Sequence, residues 1–229
     1  VTLTDSGGLT DSTDLTVNVS DVVGKRPVLN VAATSAVSIT ENTTAVGTYS
    51  VTDADAGDTV SWSLTGDDAS LFNISDSGEL TFKSAPDFET PGSAASSNAY
   101  SVTLTATDAG GLTDSTDLTV NVGDVNEAPV LNVDATAAVS IAENTTAVST
   151  YTVTDEDPGD TVSWSLSGDD ASLFNISDSG ELTFKSEADF ERPGSAASSN
   201  AYSVTVTATD AGGLTDSTDL TVNVLDTVD

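Results

Sequence analysis

Residues 60–84 read VSWSLTGDDASLFNISDSGELTFKS, and residues 162–186 read VSWSLSGDDASLFNISDSGELTFKS. The offset between Trp62 and Trp164 is 164 − 62 = 102 residues. Glu41 and Glu143, Asp53 and Asp155, and Asp108 and Asp210 keep the same offset. A period of this length is a domain rather than one turn of a solenoid. The chain therefore reads as two full repeats, at 25–124 and 125–229. Within the quoted stretch Val60, Trp62 and Leu64 alternate with Ser61 and Ser63, the period of a half-buried strand. DSGE at 76–79 is a turn signal that separates it from the next alternating run.

The same alternation runs outward. In YSVTLTATD, Tyr100, Val102, Leu104 and Ala106 face one way and Ser101, Thr103 and Thr105 the other. In DLTVNV, Leu118, Val120 and Val122 alternate with Thr119 and Asn121. Further turn signals fall at ADAGD and DAGG, and no stretch shows a long helical period. Roughly seven short strands per repeat predict an all-β fold of tandem seven-stranded β-sandwiches. Trp62, Phe72, Ile74, Leu80, Phe82 and Tyr100 are the expected core. The first 24 residues copy the tail of a repeat: VTLTDSGGLTDSTDLTVNV against LTATDAGGLTDSTDLTVNV. They are expected to be the last two strands of a preceding repeat in a longer array. A lone hairpin is marginal in water, so this segment is expected to be mobile, extended or docked on a neighbour.

Composition narrows the function. Lys plus Arg is 5 against 37 Asp plus Glu, a net charge of −32. Such a surface repels nucleic acid and anionic membrane and attracts cations. Cys, His and Met are absent, which rules out thiol and imidazole chemistry, zinc and haem sites, and disulfides. There is no run of about 18 apolar residues and no basic leader. Direct membrane insertion is therefore not expected. The 37% of apolar residues with a clear strand period argues against disorder.

Calcium takes six to eight oxygens from carboxylates, carbonyls and Asn side chains. Two acids two residues apart converge on one ion if the chain turns. The first repeat offers Asp53-Ala54-Asp55, Asp87-Phe88-Glu89 and Asp124-Val125-Asn126-Glu127. The second offers Asp155-Glu156-Asp157 and Asp189-Phe190-Glu191. Two local calcium motifs fail. An EF-hand loop on DADAGD would need Gly and Glu where Asp58 and Leu64 stand, and a β-roll nonapeptide would need Gly where Thr113 stands. Asp67, Asp68, Asp76, Asp114 and Asp117 read as solvated surface.

These residues, in this order, resemble the cadherin repeat. PVLN and Glu41-Asn42 come first, then DADAGD, FNISDSGEL, DFE, YSVTLTATDAGG and DVNEAP, and both full repeats are covered almost end to end. The near identity of the copies, the acidity and the lack of Cys look most like cadherin-like repeats of giant bacterial surface adhesins. The resemblance implies a Greek-key sandwich, an extracellular location and calcium ions between successive repeats. It carries Glu41, Asp87 and Glu89 over as ligands from the first repeat, with Asp124, Asn126 and Glu127 from the linker. From the second repeat it carries over Asp155, Asp157 and Asp210. The family usually has Asp in the place of Glu127, a departure that is expected to shift or weaken one ion.

The preceding linker is DVVGKRP, one residue longer, with Val23, Gly24, Lys25 and Arg26 where DVNEAP has Asn126 and Glu127. Two positive charges oppose cation binding, so fewer ions are expected there, although Asp21, Asp53, Asp55 and Asp108 remain. Glu143, Asp189, Glu191 and Asp226 form a half-site at the far end. The resulting expectation is a non-enzymatic, calcium-rigidified spacer whose partners are calcium and neighbouring repeats. The alternative is a calcium-dependent module that binds polysaccharide or a second copy of itself. A glycosidase using two carboxylates is disfavoured, since near-identical tandem copies suit spacers better than catalysts. The Asn-X-Ser/Thr patterns at Asn42, Asn73, Asn144 and Asn175 are common by chance in so Thr/Ser-rich a chain.

Overall fold

The computed structural model describes residues 1–17, 24–55, 58–133 and 136–228. The chain divides into two compact units, Val1–Gly123 and Asp124–Asp229. Each is built from short strands whose inward residues are the alternating apolar positions.

The first unit opens with a hairpin of β1 (Thr2–Thr4) and β2 (Thr10–Ser12), paired antiparallel with Leu3 opposite Asp11. All of its side chains are exposed, among them Leu3, Leu9, Leu15 and Val17. The expected second half of this tail, from Asn18, lies partly outside the described residues.

The repeat that follows comprises β3 (Val28–Leu29), β4 (Thr34–Thr40), β5 (Ala45–Thr48), β6 (Val51–Thr52), β7 (Ser61–Thr65), β8 (Phe72–Ile74), β9 (Glu79–Phe82), β10 (Ala99–Thr107) and β11 (Thr113–Gly123). Runs β3/β4 and β5/β6 are each broken once, so the nine segments act as seven strands. One sheet has the order β4-β11-β10-β7, with β4 parallel to β11 and the other pairs antiparallel. The opposing layer is β5-β9-β8 together with the pair β3-β6. The chain crosses between layers at Asn30–Ala33, so β3 pairs in one and β4 in the other.

The second unit repeats this with β12 (Val130–Leu131), β13 (Thr136–Ala142), β14 (Ala147–Thr150), β15 (Val153–Thr154), β16 (Ser163–Ser167), β17 (Phe174–Ile176), β18 (Glu181–Phe184), β19 (Ala201–Thr209) and β20 (Thr215–Leu225). Its sheets are β13-β20-β19-β16, β14-β18-β17 and β12-β15. The fold is an all-β sandwich of the expected Greek-key class.

The core sits where the period places it. In β10 and β11 every second side chain is buried: Tyr100, Val102, Leu104 and Ala106, and Leu118, Val120 and Val122. They meet Phe72, Leu80 and Phe82 from the other layer. Rings Phe72 and Phe82 lie 4.2 Å apart, and Tyr100 meets Phe82 edge-on at 5.0 Å and 84°. Burying each such side chain is worth about 1.5–3 kcal/mol. The Tyr100 hydroxyl accepts a hydrogen bond from the Gly92 N–H at 3.1 Å. Trp62 and Ile74 are only half-buried, packed at the margin rather than in the centre.

Two acids read from the sequence as surface are corrected by the fold. Asp68 is 4% exposed and accepts N–H groups from Ala94 and Ser101, both at 2.7 Å. Asp170 does the same for Ala196 and Ser203 at 2.6 and 2.7 Å. The physical reason is one N–H on a loop and one on β10 or β19 beyond the stretch paired with β7 or β16, both of which take a carboxylate instead. Asp114 is half-buried, and its Oδ2 accepts the Leu29 N–H at 2.8 Å, which anchors β3. Asp67, Asp76 and Asp117 are exposed.

Glycine is required at the DSGE turn. Gly78 has φ +79°, and a Cβ there would stand 2.1 Å from the Tyr49 carbonyl oxygen. Gly180 repeats this at φ +77° and 2.2 Å from the Tyr151 carbonyl.

Gly180→Ala is expected to destabilise the second unit by at least about 1–3 kcal/mol from backbone strain, whereas Gly194→Ala, with nothing within 4 Å of the added Cβ, is near neutral. Asp170→Ala removes a buried carboxylate that serves two N–H groups and is expected to cost about 1–3 kcal/mol, while Asp169→Ala at the exposed neighbour stays within about 0.5 kcal/mol. Differential scanning calorimetry of the four variants checks both statements.

Candidate metal centres

The strand ends gather the acids. In the second unit, β15 ends at Thr154 and the next residue is Asp155. The chain then turns, with the Asp160 N–H donating to the Asp157 carbonyl at 3.3 Å. Asp210 lies on the loop between β19 and β20. One carboxylate oxygen from each of Asp155, Asp160 and Asp210 lies within 4.8 Å of the others. Asp155 Oδ2 and Asp160 Oδ2 are buried and have no hydrogen-bond partner. Asp210 is 5% exposed and is held on both oxygens. Its Oδ1 accepts the Leu214 N–H at 2.7 Å and its Oδ2 accepts the Asn126 amide at 2.8 Å. Burial pushes the Asp210 carboxyl up, but Asn126 and the N–H groups of Leu214, Gly213 and Gly212 outweigh it, leaving it below the usual range. Gly212 leaves room for that amide, since a Cβ there would stand 2.3 Å from Asn126 Oδ1 and push the side chain aside.

The first unit has the counterpart in Asp53, Asp58 and Asp108, again with oxygens mutually within 4.8 Å. Asp53 Oδ2 and Asp108 Oδ2 are buried without a partner. Partial desolvation, and then the negative charges of Asp53, Asp108 and Asp55, push the Asp58 carboxyl up.

The opposite end of each repeat carries a second set. In the second unit Glu143, Glu191 and Asp226 bring oxygens within 4.8 Å of one another. Glu143 is 4% exposed and follows β13; its Oε1 accepts the Thr227 N–H at 2.8 Å and its Oε2 the Phe190 N–H at 3.0 Å. Those two donors hold its carboxyl below the usual range against the opposing effect of burial. In the first unit Glu41, 3% exposed, accepts the Phe88 N–H at 2.7 Å and has an oxygen within 4.8 Å of one on Glu89.

Other sequence-predicted ligands are placed differently. Asp87 and Asp189 are exposed, and each accepts a local N–H, from Thr90 at 2.6 Å and Arg192 at 2.8 Å. Asp55 accepts the Lys25 N–H, and Asp157 accepts the Glu127 N–H at 2.8 Å. Asp21 and Val23 of the DVVGKRP segment, and Ala56 and Gly57 of ADAGD, lie outside the described residues. Asp58 and Asp160 escaped the sequence reading. The signal was the acid ending DADAGD and DEDPGD, five residues beyond the first, which only a turn brings back.

These oxygen-only donor sets fit a hard divalent cation. Buried carboxylate oxygens without donors, grouped at like charge, are the arrangement that a cation relieves.

Comparison with known proteins bears on the fold and the family. Residues 137–225 match the family model described as Cadherin domain. The chain is 34% identical over 233 aligned residues to mouse protocadherin Fat 4, covering 94% of this chain and 4% of that protein's length. Mouse cadherin-23 EC22-24 superposes with a TM-score of 0.54 at 25% identity, over 88% of this chain and 65% of that one. Human protocadherin-24 EC1-2 gives a TM-score of 0.59 at 22% identity, over 88% and 99%. Protocadherin gammaB7 EC3-6, solved as a cis-dimer, gives 0.51 at 29%, over 88% and 51%. No helix among the described residues is long and apolar enough to cross a membrane. Residues 137–225 are thus recognised as a cadherin domain, and the chain's structural neighbours are cadherins and protocadherins.

Proposed function

We propose that the chain is a calcium-rigidified spacer of an extracellular adhesion protein, a large bacterial surface adhesin. The observation that carries this reading is the pair of acid sets at the two ends of each repeat, with buried carboxylate oxygens at Asp53, Asp108, Asp155 and Asp160 that have no hydrogen-bond donor. Calcium supplies two positive charges and accepts six to eight oxygens. On this reading Glu41 and Glu89 hold the ions from the first repeat, Asp124, Asn126 and Glu127 from the linker, and Asp155, Asp160 and Asp210 from the second repeat. Asp55, Asp87, Asp157 and Asp189 serve by fixing the loops that carry these ligands. The near-identical copies, the net charge of −32 and the absence of Cys support the bacterial assignment.

The charge makes the mechanism. Unneutralised carboxylates at a linker repel one another and favour a loose chain; a shared cation removes that repulsion and ties both sides together. Binding also stabilises the fold by about 2.7 kcal/mol at a free ion concentration one hundred times the dissociation constant. Cadherin-like adhesion domains are generally non-enzymatic, which fits a mechanical role. A carbohydrate platform would need outward aromatics, whereas Phe72, Phe82 and Tyr100 are turned into the core.

Small-angle scattering with calcium and then with chelator is expected to show a longer maximum dimension in calcium; an unchanged dimension sinks the rod. Calorimetric titration of Asp124→Ala is expected to lose at least one ion relative to wild type, and an unchanged count removes the linker from the ligand set.

A further inference from the structure

The two linkers differ where their acids should be. Asn126 reaches Asp210 in the second unit, and Gly24 stands in its place in the first. Glu127 is replaced by Lys25, whose backbone N–H takes over the bond to Asp55. Sequence alone therefore expects a depleted site at the first linker. The trio in the first repeat nonetheless forms.

We propose that Asp53, Asp58 and Asp108 make a calcium site complete within one repeat, needing no side chain from a linker, and that Asp58 is the ligand that completes it. Asp160 has the same role beside Asp155 and Asp210. This rests on the reading of the chain as calcium-binding.

Three observations carry the assignment. First, the acids come from two loops of one repeat. Asp53 directly follows β6, Asp58 is returned by a turn in which its N–H donates to the Asp55 carbonyl at 3.2 Å, and Asp108 directly follows β10. Second, Asp108 is 6% exposed, its Oδ1 accepts the Leu112 N–H at 2.7 Å, and its Oδ2 has no partner. Gly24 offers no amide to do for Asp108 what Asn126 does for Asp210. A buried carboxylate oxygen facing two further carboxylates is relieved by a cation and by little else. Third, it is Asp58 and not Asp55 that brings a carboxylate oxygen within 4.8 Å of oxygens on Asp53 and Asp108, while Asp55 Oδ2 accepts the Lys25 N–H. Three carboxylates give three to six oxygens according to denticity, and water completes the six to eight that calcium takes.

Calcium binding to the full 229-residue chain, followed by equilibrium dialysis and titration calorimetry, tests this. Asp58→Asn and Asp160→Asn are each expected to remove one ion or weaken one site at least tenfold, and the double variant to remove two. Asp58→Ser read the same way guards against a peculiarity of the amide. Because Asp58 is exposed, unfolding of the Asp58 variants in chelator is expected to match wild type. Asp124→Ala is expected to leave the first-repeat site intact. Wild-type stoichiometry and affinity in all the Asp58 and Asp160 variants would overturn the ligand assignment and leave the calcium reading standing. Loss of the first-repeat site in Asp124→Ala would overturn its independence from the linker. A wild-type chain that binds no calcium would overturn both.

Discussion

Each repeat depends on one long antiparallel hairpin, β10–β11 in the first and β19–β20 in the second. Its inward residues, Val102, Leu104, Leu118 and Val120 among them, are at most 1% exposed and form one wall of the core. Its length does the rest. In the second unit Asp210 lies at the turn and Asp226 just beyond the far end, so the 11 residues of β20 set the two acid sets roughly 35 Å apart. A single apolar alternation therefore builds the core and delivers carboxylates to both ends. A one-residue slip would turn the core side chains outward, so the register that buries Leu220 and Val222 also fixes Asp210.

The sandwich was legible because strand patterning is local. YSVTLTATD and DLTVNV announce which side chains go inward, and the 102-residue offset announces the units. Glu41, Asp53 and Asp108 were legible as candidates because each stands at the edge of such a run. The fate of the other acids depends on backbone donors, which sequence does not display. Asp68 looks like half of an exposed Asp-Asp pair, yet it serves two N–H groups, one on a loop 26 residues away and one on β10 33 residues away. Asp55 and Asp157 are spaced like ligands, and each also accepts an N–H from the segment leading into its repeat, which the spacing does not display. Asp58 looks like a failed EF-hand position and is returned toward Asp53 by a turn.

The linkers show how little sequence change alters a site's logic. In the second unit Asn126 satisfies Asp210 through its amide, and Gly212 leaves room for it. In the first, Gly24 removes that amide while Lys25 retains the backbone bond to Asp55. The scaffold of the site survives because it uses main-chain donors, and only the side-chain donor is lost. The consequence falls on one atom, Asp108 Oδ2, which is left buried with carboxylates for company.

The acids of this chain thus divide by what satisfies them. Asp68 and Asp170 are served on both oxygens by main-chain N–H groups, and Asp114 on one; these act as structural fasteners. Glu143 and Asp210 accept donors on both oxygens, and those donors hold their carboxyls below the usual range and so keep them charged. Asp53, Asp108, Asp155 and Asp160 keep oxygens with no donor at all. A domain with a net charge this negative folds stably when its fasteners are independent of its cation sites, because the core then sets the loops and the loops set the sites. The order of dependence runs from strand period, to hairpin length, to carboxylate placement, and the cation enters last.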